Sequence, residues 1–219
     1  DVENFVSTNS SEDTIVIKGI STDVAVEISD ENASGNLDNN YTVTYDAVTG
    51  SSDSATVTLS STDTATTFGT LTVAGIETLT VDSNGGTDAT YTVTAADATT
   101  LNIKASSKSG GTVTTGAAKA TTFNITSADD ITVNDAGSAA LKLTSVVIDS
   151  TTANQIVTAV DLSPADSTTK VDTWTITTKG AGKVVADFDG DWGTQSDTNA
   201  DVFKVDASAN SGGTTIDFS

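Results

Sequence analysis

Three aspartates at alternate positions, Asp187, Asp189 and Asp191, are the residues of this chain whose type and spacing best suit chemistry. Calcium takes about six to eight oxygen ligands, and carboxylates at alternate positions of a tight loop supply several of them at once. Asp197 and Asp201 follow closely enough in the sequence to complete such a shell. The spacing therefore predicts a calcium site formed by these five aspartates.

The cluster departs from the calcium loop of helix-loop-helix proteins. That loop requires glycine at its sixth position and a bidentate glutamate at its twelfth, where this chain has Trp192 and Thr198. Gly190 and Gly193 permit a sharp bend by another route. The alternative to a calcium loop is a strand or acidic turn whose aspartates face solvent while Phe188 points inward, because successive side chains of a strand lie on opposite faces.

The composition narrows the possible classes of function. The 219 residues include 30 acidic residues and nine lysines but no Arg, His or Cys, and the net charge is −21. We expect neither nucleic acid nor an anionic membrane as a partner, because no basic surface is available to bind them. The missing His and Cys exclude Ser-His-Asp and Cys-His nucleophiles and the common zinc sites.

Two further classes are judged from the same composition. Glycoside hydrolysis needs only two carboxylates, but an enzyme acting on an acidic polysaccharide would also use Arg or His against the substrate's charge, so we predict no enzymatic activity. No apolar run approaches the ~20 residues that span a bilayer, so we expect no membrane insertion. The chain is typical of a mature protein or an excised fragment, and its lack of cysteine is compatible with export.

Short Thr-rich segments of alternating apolar and polar residues dominate the chain, and they predict an all-β fold. Such segments in the first third of the chain span residues 13–19, 23–29, 40–46, 55–61 and 69–75. They indicate a β-meander or sandwich-like region over residues 1–68.

The middle of the chain contains an internal repeat. The segment "AADATTLNI" at 95–103 returns as "AAKATTFNI" at 117–125, identical at seven of nine positions and 22 residues later. The apolar positions that fall in register are Leu79 with Leu101 and Phe123, Val81 with Ile103 and Ile125, and Tyr91 with Val113. A fixed period of this length is the signature of a repeat architecture.

Two folds fit the repeat. Two short strands per 22-residue unit suit a β-solenoid that buries an apolar row and exposes Thr, Asn and Ser, whereas an antiparallel β-sandwich could arise by duplication of a hairpin. We divide the remainder into a repeat-containing β region at 69–150 and a C-terminal β region with the acidic loop at 151–219. Residues 151–170 are predicted to be an insertion, and "ANSGG" (209–213) a hairpin or coil-terminating turn in which Gly212 and Gly213 take positive φ.

The "ATTLNI" and "GIETLTV" repeats, together with the final "VDAS" and "GGTTIDFS", resemble bacterial surface-layer proteins and other type I secreted proteins of the RTX kind. The resemblance spans roughly residues 65–219. It implies an exported protein that covers a cell surface and is stabilised by calcium. The glycine-rich nonapeptide G-G-x-G-x-D of that family does not occur here, so the resemblance assigns no calcium ligand.

Two functions are therefore in competition. The first is a structural subunit of an extracellular, cell-surface lattice or filament, whose partners are copies of itself and in addition a cell-surface polysaccharide. The second is a secreted adhesin module that binds a glycan or a host protein, with Trp192 as a candidate contact because exposed tryptophan stacks on sugars. Both tryptophans, Trp174 and Trp192, are more typical of a core or an interface.

Overall fold

The computed structural model describes residues 4–8, 14–30, 39–46, 48–62, 66–84, 89–106, 111–135, 143–162, 173–188 and 202–218. Within these residues the chain forms 18 β-strands and no helix. The odd-numbered strands form sheet A: β1 (Asn4–Thr8), β3 (Ala25–Asp30), β5 (Ser54–Ser61), β7 (Thr78–Asn84), β9 (Thr100–Ala105), β11 (Thr122–Ser127), β13 (Ser145–Ser150), β15 (Thr173–Gly180) and β17 (Val202–Asn210). The even-numbered strands form sheet B: β2 (Thr14–Ile20), β4 (Asn40–Tyr45), β6 (Thr66–Ala74), β8 (Ala89–Thr94), β10 (Gly111–Gly116), β12 (Ile131–Asp135), β14 (Ile156–Leu162), β16 (Lys183–Phe188) and β18 (Thr214–Asp217).

Consecutive strands alternate between the two sheets, and each sheet keeps the order of the chain. Every strand pairs in parallel with the strand two places along, as β9 does with β11 and β10 with β12. Each odd and even pair is therefore one coil, and nine coils stack into a two-sheet β-solenoid. The all-β, solenoid-like prediction is confirmed, and the competing antiparallel sandwich does not describe these strands.

The register of the repeat is the one predicted from the sequence. Leu101 is the partner of both Leu79 and Phe123 on the neighbouring strands of sheet A, and Tyr91 is the partner of Val113 in sheet B. The parallel pairing places equivalent residues of successive coils directly beside one another. A 22-residue period in the sequence thus becomes a column of like side chains along the stack.

The core lies between the two sheets. In β9, β11 and β13 buried and partly exposed residues alternate strictly, because alternate side chains of a strand point to opposite faces. The inward residues include Val43, Val57, Val81, Ile103 and Ile125, all fully buried. Burial of such aliphatic side chains stabilises a fold by about 1.5–3 kcal/mol each, so this row is the main source of stability.

The corners between sheets also join successive coils. The backbone N–H of Thr99 donates to the carbonyl of Glu77, that of Thr121 to Thr99, and that of Thr144 to Thr121, over 2.8–2.9 Å. The hydroxyl of each of these threonines donates to the same carbonyl over 3.2–3.4 Å. Each threonine at this corner therefore donates two hydrogen bonds, from its backbone N–H and its hydroxyl, to one carbonyl of the preceding coil.

The expectation for residues 1–68 is wrong in its strand arrangement. The predicted strands are present, but β1 pairs with β3 and β2 with β4, in parallel and in separate sheets. A meander would pair consecutive strands within one sheet. The alternation of apolar and polar residues is the same in both arrangements, so the sequence pattern did not distinguish them.

For the C-terminal third, the structure corrects one expectation and selects between the two alternatives of another. Within the predicted insertion at 151–170, residues 156–162 form β14, a regular strand of sheet B. The "ANSGG" segment is a coil-terminating turn rather than a hairpin, because β17 and β18 belong to different sheets. Gly213 has the expected positive φ of 96°, whereas Gly212 does not and instead lies against the backbone of Gly182.

Candidate functional site

The predicted calcium ligands fall at the C-terminal end of the stack. Asp187 lies on β16, half-buried, beside Asp217 of β18, its register partner. Phe188 points inward and is 1% exposed, as the alternation predicted. Asp189, Asp191, Asp197 and Asp201 lie outside the described residues.

Asp187 and Asp217 are carboxylates on neighbouring parallel strands, so their charges interact. Strands lie about 4.8 Å apart, so Asp187 and Asp217 repel each other unless a cation or solvent screens them. A divalent cation between them would remove that repulsion, but calcium would need several further oxygen ligands. Within the portion of the chain that the structure describes, no group of three or more acidic residues is arranged to hold a metal ion. The calcium site therefore stays a prediction.

The outer face of sheet A holds polar side chains in columns along the stack. Lysines of one coil pair with aspartates of the preceding coil: Lys104 with Asp82 over 3.2 Å, and Lys179 with Asp149 over 3.1 Å. A third pair of the same polarity, Lys119 with Asp97 at 2.7 Å, lies at a corner. Exposed pairs of this kind contribute little stability each, so their main effect is to fix which residues lie side by side.

The outer face of sheet B is different in charge. Strands β4, β6, β8 and β10 contain no charged residue, and their outward positions are mostly threonine. Thr70, Thr92 and Thr114 are successive register partners on this face. In a chain of net charge −21, the acidic residues thus avoid this region of sheet B.

The two ends of the stack are the places where the sheets stop. Among the described strands, β1 and β2 have a neighbour on one side only, and so do β17 and β18. Such an edge presents a row of backbone N–H and C=O groups that can pair with another strand. The same four strands also leave some of the core uncovered: each carries one partly buried apolar residue packed against it, Phe5, Ile15, Phe203 and Ile216.

Exposed apolar side chains concentrate at the same two ends. Among the described residues, six large apolar side chains are exposed, and five of them belong to the first or last coil. Those five are Val6 (48%), Val16 (50%), Val202 (40%), Val205 (49%) and Phe218 (41%). Repeat proteins ordinarily shield their ends with polar capping repeats, and the described end coils do not have that character.

The C-terminal end also gathers the aromatic side chains. The ring of Phe203 lies 4.5 Å from Trp174 and 4.8 Å from Phe218, and Phe218 stacks on Phe188 at 5.7 Å. Trp174 is 2% exposed, so it is a core residue, as its type suggested, and has no face available to a sugar. Trp192, the tryptophan considered for glycan binding, lies outside the described residues.

Sequence reasoning identified the acidic residues but missed the open ends. In the first two strands, "NFVST" and "TIVIKGI", apolar residues occur at both odd and even positions. This is unusual for a strand with one solvated face, and it was the sequence feature that pointed to the open end.

No family model, curated protein or solved structure matches the chain. Within the described residues, no helix has the length and apolar character needed to cross a lipid bilayer.

Proposed function

We propose that the chain is a structural subunit of an extracellular, cell-surface assembly and joins copies of itself through the open ends of its solenoid. The observation that carries the proposal is that, among the described strands, both ends combine an edge without a neighbouring strand with partly buried core residues. Covering such an end with another solenoid would bury apolar surface and satisfy backbone groups in one step.

The rest of the molecule suits a structural role. The core is continuous through the stack, backbone hydrogen bonds join successive coils at the corners, and the outward positions of β4, β6, β8 and β10 are mostly threonine. The cysteine-free, Thr-rich composition and the resemblance to surface-layer proteins support an extracellular location. A cell-surface polysaccharide is the second partner that we propose, because an uncharged face of hydroxyl groups suits an uncharged sugar polymer.

Calcium would promote assembly by reducing the repulsion between negatively charged copies. Copies that each carry −21 repel one another, and divalent cations bound at the joining end would reduce that repulsion. Asp187 and Asp217 lie side by side at the C-terminal end, next to the sequence that holds the other predicted ligands. We therefore propose that residues 187–201 bind calcium and that binding promotes assembly.

The test is particle size by light scattering while calcium is added and then removed with a chelator. We expect the wild type to form large particles in calcium and the Asp189→Ala, Asp191→Ala double variant to respond weakly. A matched control is Asp46→Ala with Asp53→Ala, which removes the same charge from the connection between β4 and β5, outside both end coils.

Each outcome has a separate meaning. Assembly of the wild type without calcium would keep the structural role and contradict the calcium site. An equal response of both double variants would show that only the total charge matters. A wild type that stays monomeric at high concentration with and without calcium would overturn the structural proposal.

A further inference from the structure

We propose that copies join head to tail, with β17 and β18 of one copy pairing in parallel with β1 and β2 of the next, so that both sheets continue across the joint. The partner is a second copy of this chain. This inference rests on the proposed function and adds to it the polarity and the register of the contact.

The polarity follows from strand direction. All strands of sheet A run in one direction, and so do all strands of sheet B. A copy shifted along the stack therefore brings β1 beside β17, and β2 beside β18, in the parallel arrangement used at every internal pair. A copy turned end for end would place its own end strands antiparallel to β17 and β18, and antiparallel pairs occur nowhere among the described strands.

The charges of the end strands agree with this polarity. In β1 and β2 the single charged residue is Lys18. In β17 and β18 the charged residues are Lys204, Asp206 and Asp217, which sum to one negative charge. Head-to-tail contact brings strands of opposite net charge together, whereas tail-to-tail contact would bring together two sets of strands that each sum to one negative charge.

The register follows from a column of partners that can be traced through all nine strands of sheet A, with one register shift, between Thr177 and Lys179 of β15, before its last member. It begins at Val6 and ends at Ala209, and the residues between them are Glu27, Thr58, Asp82, Lys104, Thr126, Asp149 and Lys179. The seven inner members are polar or charged, but the two end members are apolar and exposed. Straight continuation of the stack places Val6 of one copy beside Ala209 of the preceding copy.

Sheet B gives an independent match. The column that begins at Ile15 passes inward-facing Tyr41, Leu71, Val93 and Thr115. On the last strand the half-buried Ile216 packs against the same core, and its column passes Ala186, Ala159, Val133 and Val113. Continuation of the stack therefore covers the half-buried Ile15 of one copy and the half-buried Ile216 of the other.

The absence of cysteine in the chain makes the joint directly testable by disulfide trapping. Cα atoms of register partners on adjacent strands lie about 5 Å apart, within the range that a disulfide spans. Val6→Cys and Ala209→Cys are made in separate chains that carry different tags, and the two are mixed under assembly conditions and mildly oxidised. Thr126→Cys, from the middle of the same column, replaces Val6→Cys in the control mixture.

We expect a mixed disulfide between Val6→Cys and Ala209→Cys chains and no covalent dimer from either single variant alone. The double variant should give a ladder of covalent multimers. The Thr126→Cys control should give at least tenfold less cross-linked product. Disulfide dimers of one single variant in equal or greater yield would overturn the polarity.

Assembly of the wild type without the mixed disulfide would overturn the register while leaving the structural role in place. Light scattering of the untreated wild type separates this result from failure of the proposed function, since a wild type that never assembles contradicts both.

Discussion

The side-chain amide of Asn124 donates a hydrogen bond to Oδ1 of Asn102, its register partner one coil earlier, over 2.7 Å. Asn102 in turn donates to the hydroxyl of Thr80 over 3.0 Å. The three residues form a short ladder on the outer face of sheet A. Because Asn102 accepts from the following coil and donates to the preceding one, the ladder favours one register of the coils.

Replacing the middle residue of this ladder should destabilise the solenoid. Asn102→Ala removes the bond to Thr80 and leaves the amide of Asn124 without its acceptor, so we expect a loss of about 1 kcal/mol in the free energy of unfolding. Thr92→Ala, at an outward position of sheet B, is the control and should change it by less than about 0.5 kcal/mol. Denaturant unfolding measures both, and equal effects would show that the ladder contributes nothing.

The corner carboxylate Asp97 predicts an acid-dependent term in stability. The side chain of Lys119 and the backbone N–H of Gly75 both donate to it, and they lower the pKa of Asp97 below its ordinary value. A carboxyl with a lowered pKa in the folded state stabilises it above the unfolded pKa, and this contribution is lost as the pH falls through the folded pKa.

Asp97→Asn should therefore be less stable than the wild type at pH 7, and the difference should shrink as the pH falls below 3.8. Denaturant unfolding of both proteins across this range is the measurement. A difference that does not change with pH would mean that Asp97 acts through packing and not through its charge.

Two glycines predict opposite effects of the same substitution. A Cβ at Gly182 would meet the side chain of Ser150 and lie 2.6 Å from the carbonyl of Thr152, so Gly182→Ala should destabilise the protein by about 2 kcal/mol. At Gly116 the φ is not positive and the nearest atom to a Cβ is the carbonyl of Val93 at 3.7 Å. Gly116→Ala should stabilise by about 0.5 kcal/mol, because it restricts the unfolded chain. Thermal unfolding of both variants tests the pair.

The three tyrosines predict loss of stability at alkaline pH. Burial raises the pKa of Tyr45 from 10.0 to about 12, and it raises the pKa of Tyr41 and Tyr91 as well. Above pH 10.0 the unfolded chain releases these protons more readily than the folded chain, so stability falls as the pH rises.

Tyr45→Phe removes one of these groups and should lose less stability than the wild type between pH 10.0 and about 12. Tyrosinate absorbance, recorded alongside denaturant unfolding, reports when the phenols ionise. Ionisation of all three tyrosines near pH 10.0 in the folded protein would contradict their burial.

The strands and the repeat were predictable because each depends on local alternation and a constant period. The predicted segment at 55–61 became β5 and that at 40–46 became β4, each within a residue. The period fails after Ile125 because the connections change in length: Ser145 and Thr175 are register partners 30 residues apart, against 22 for Thr100 and Thr122. The same strands continue the solenoid, but the sequence no longer shows it.

The open ends left only a weaker signal in the sequence, apolar residues at both odd and even positions of the first two strands. Whether Val6 or Phe218 is covered depends on which strands are first and last in each sheet, and alternation alone does not define that order. The five aspartates were predicted as calcium ligands from local spacing, and four of them lie outside the described residues. The fifth, Asp187, has a register partner, Asp217, that lies 30 residues away and could not be inferred from spacing.

The parallel pairing has a mechanical consequence. Because each sheet keeps the order of the coils, the hydrogen bonds between strands run along the stack and the covalent chain runs across it. Tension along the long axis would act on these inter-strand hydrogen bonds in series, so coils would separate one after another. A joint between copies would open first, because it lacks the corner hydrogen bonds that Thr99 and Thr121 make between coils. A fibre of such subunits would lengthen stepwise under load, and each step would release a single coil.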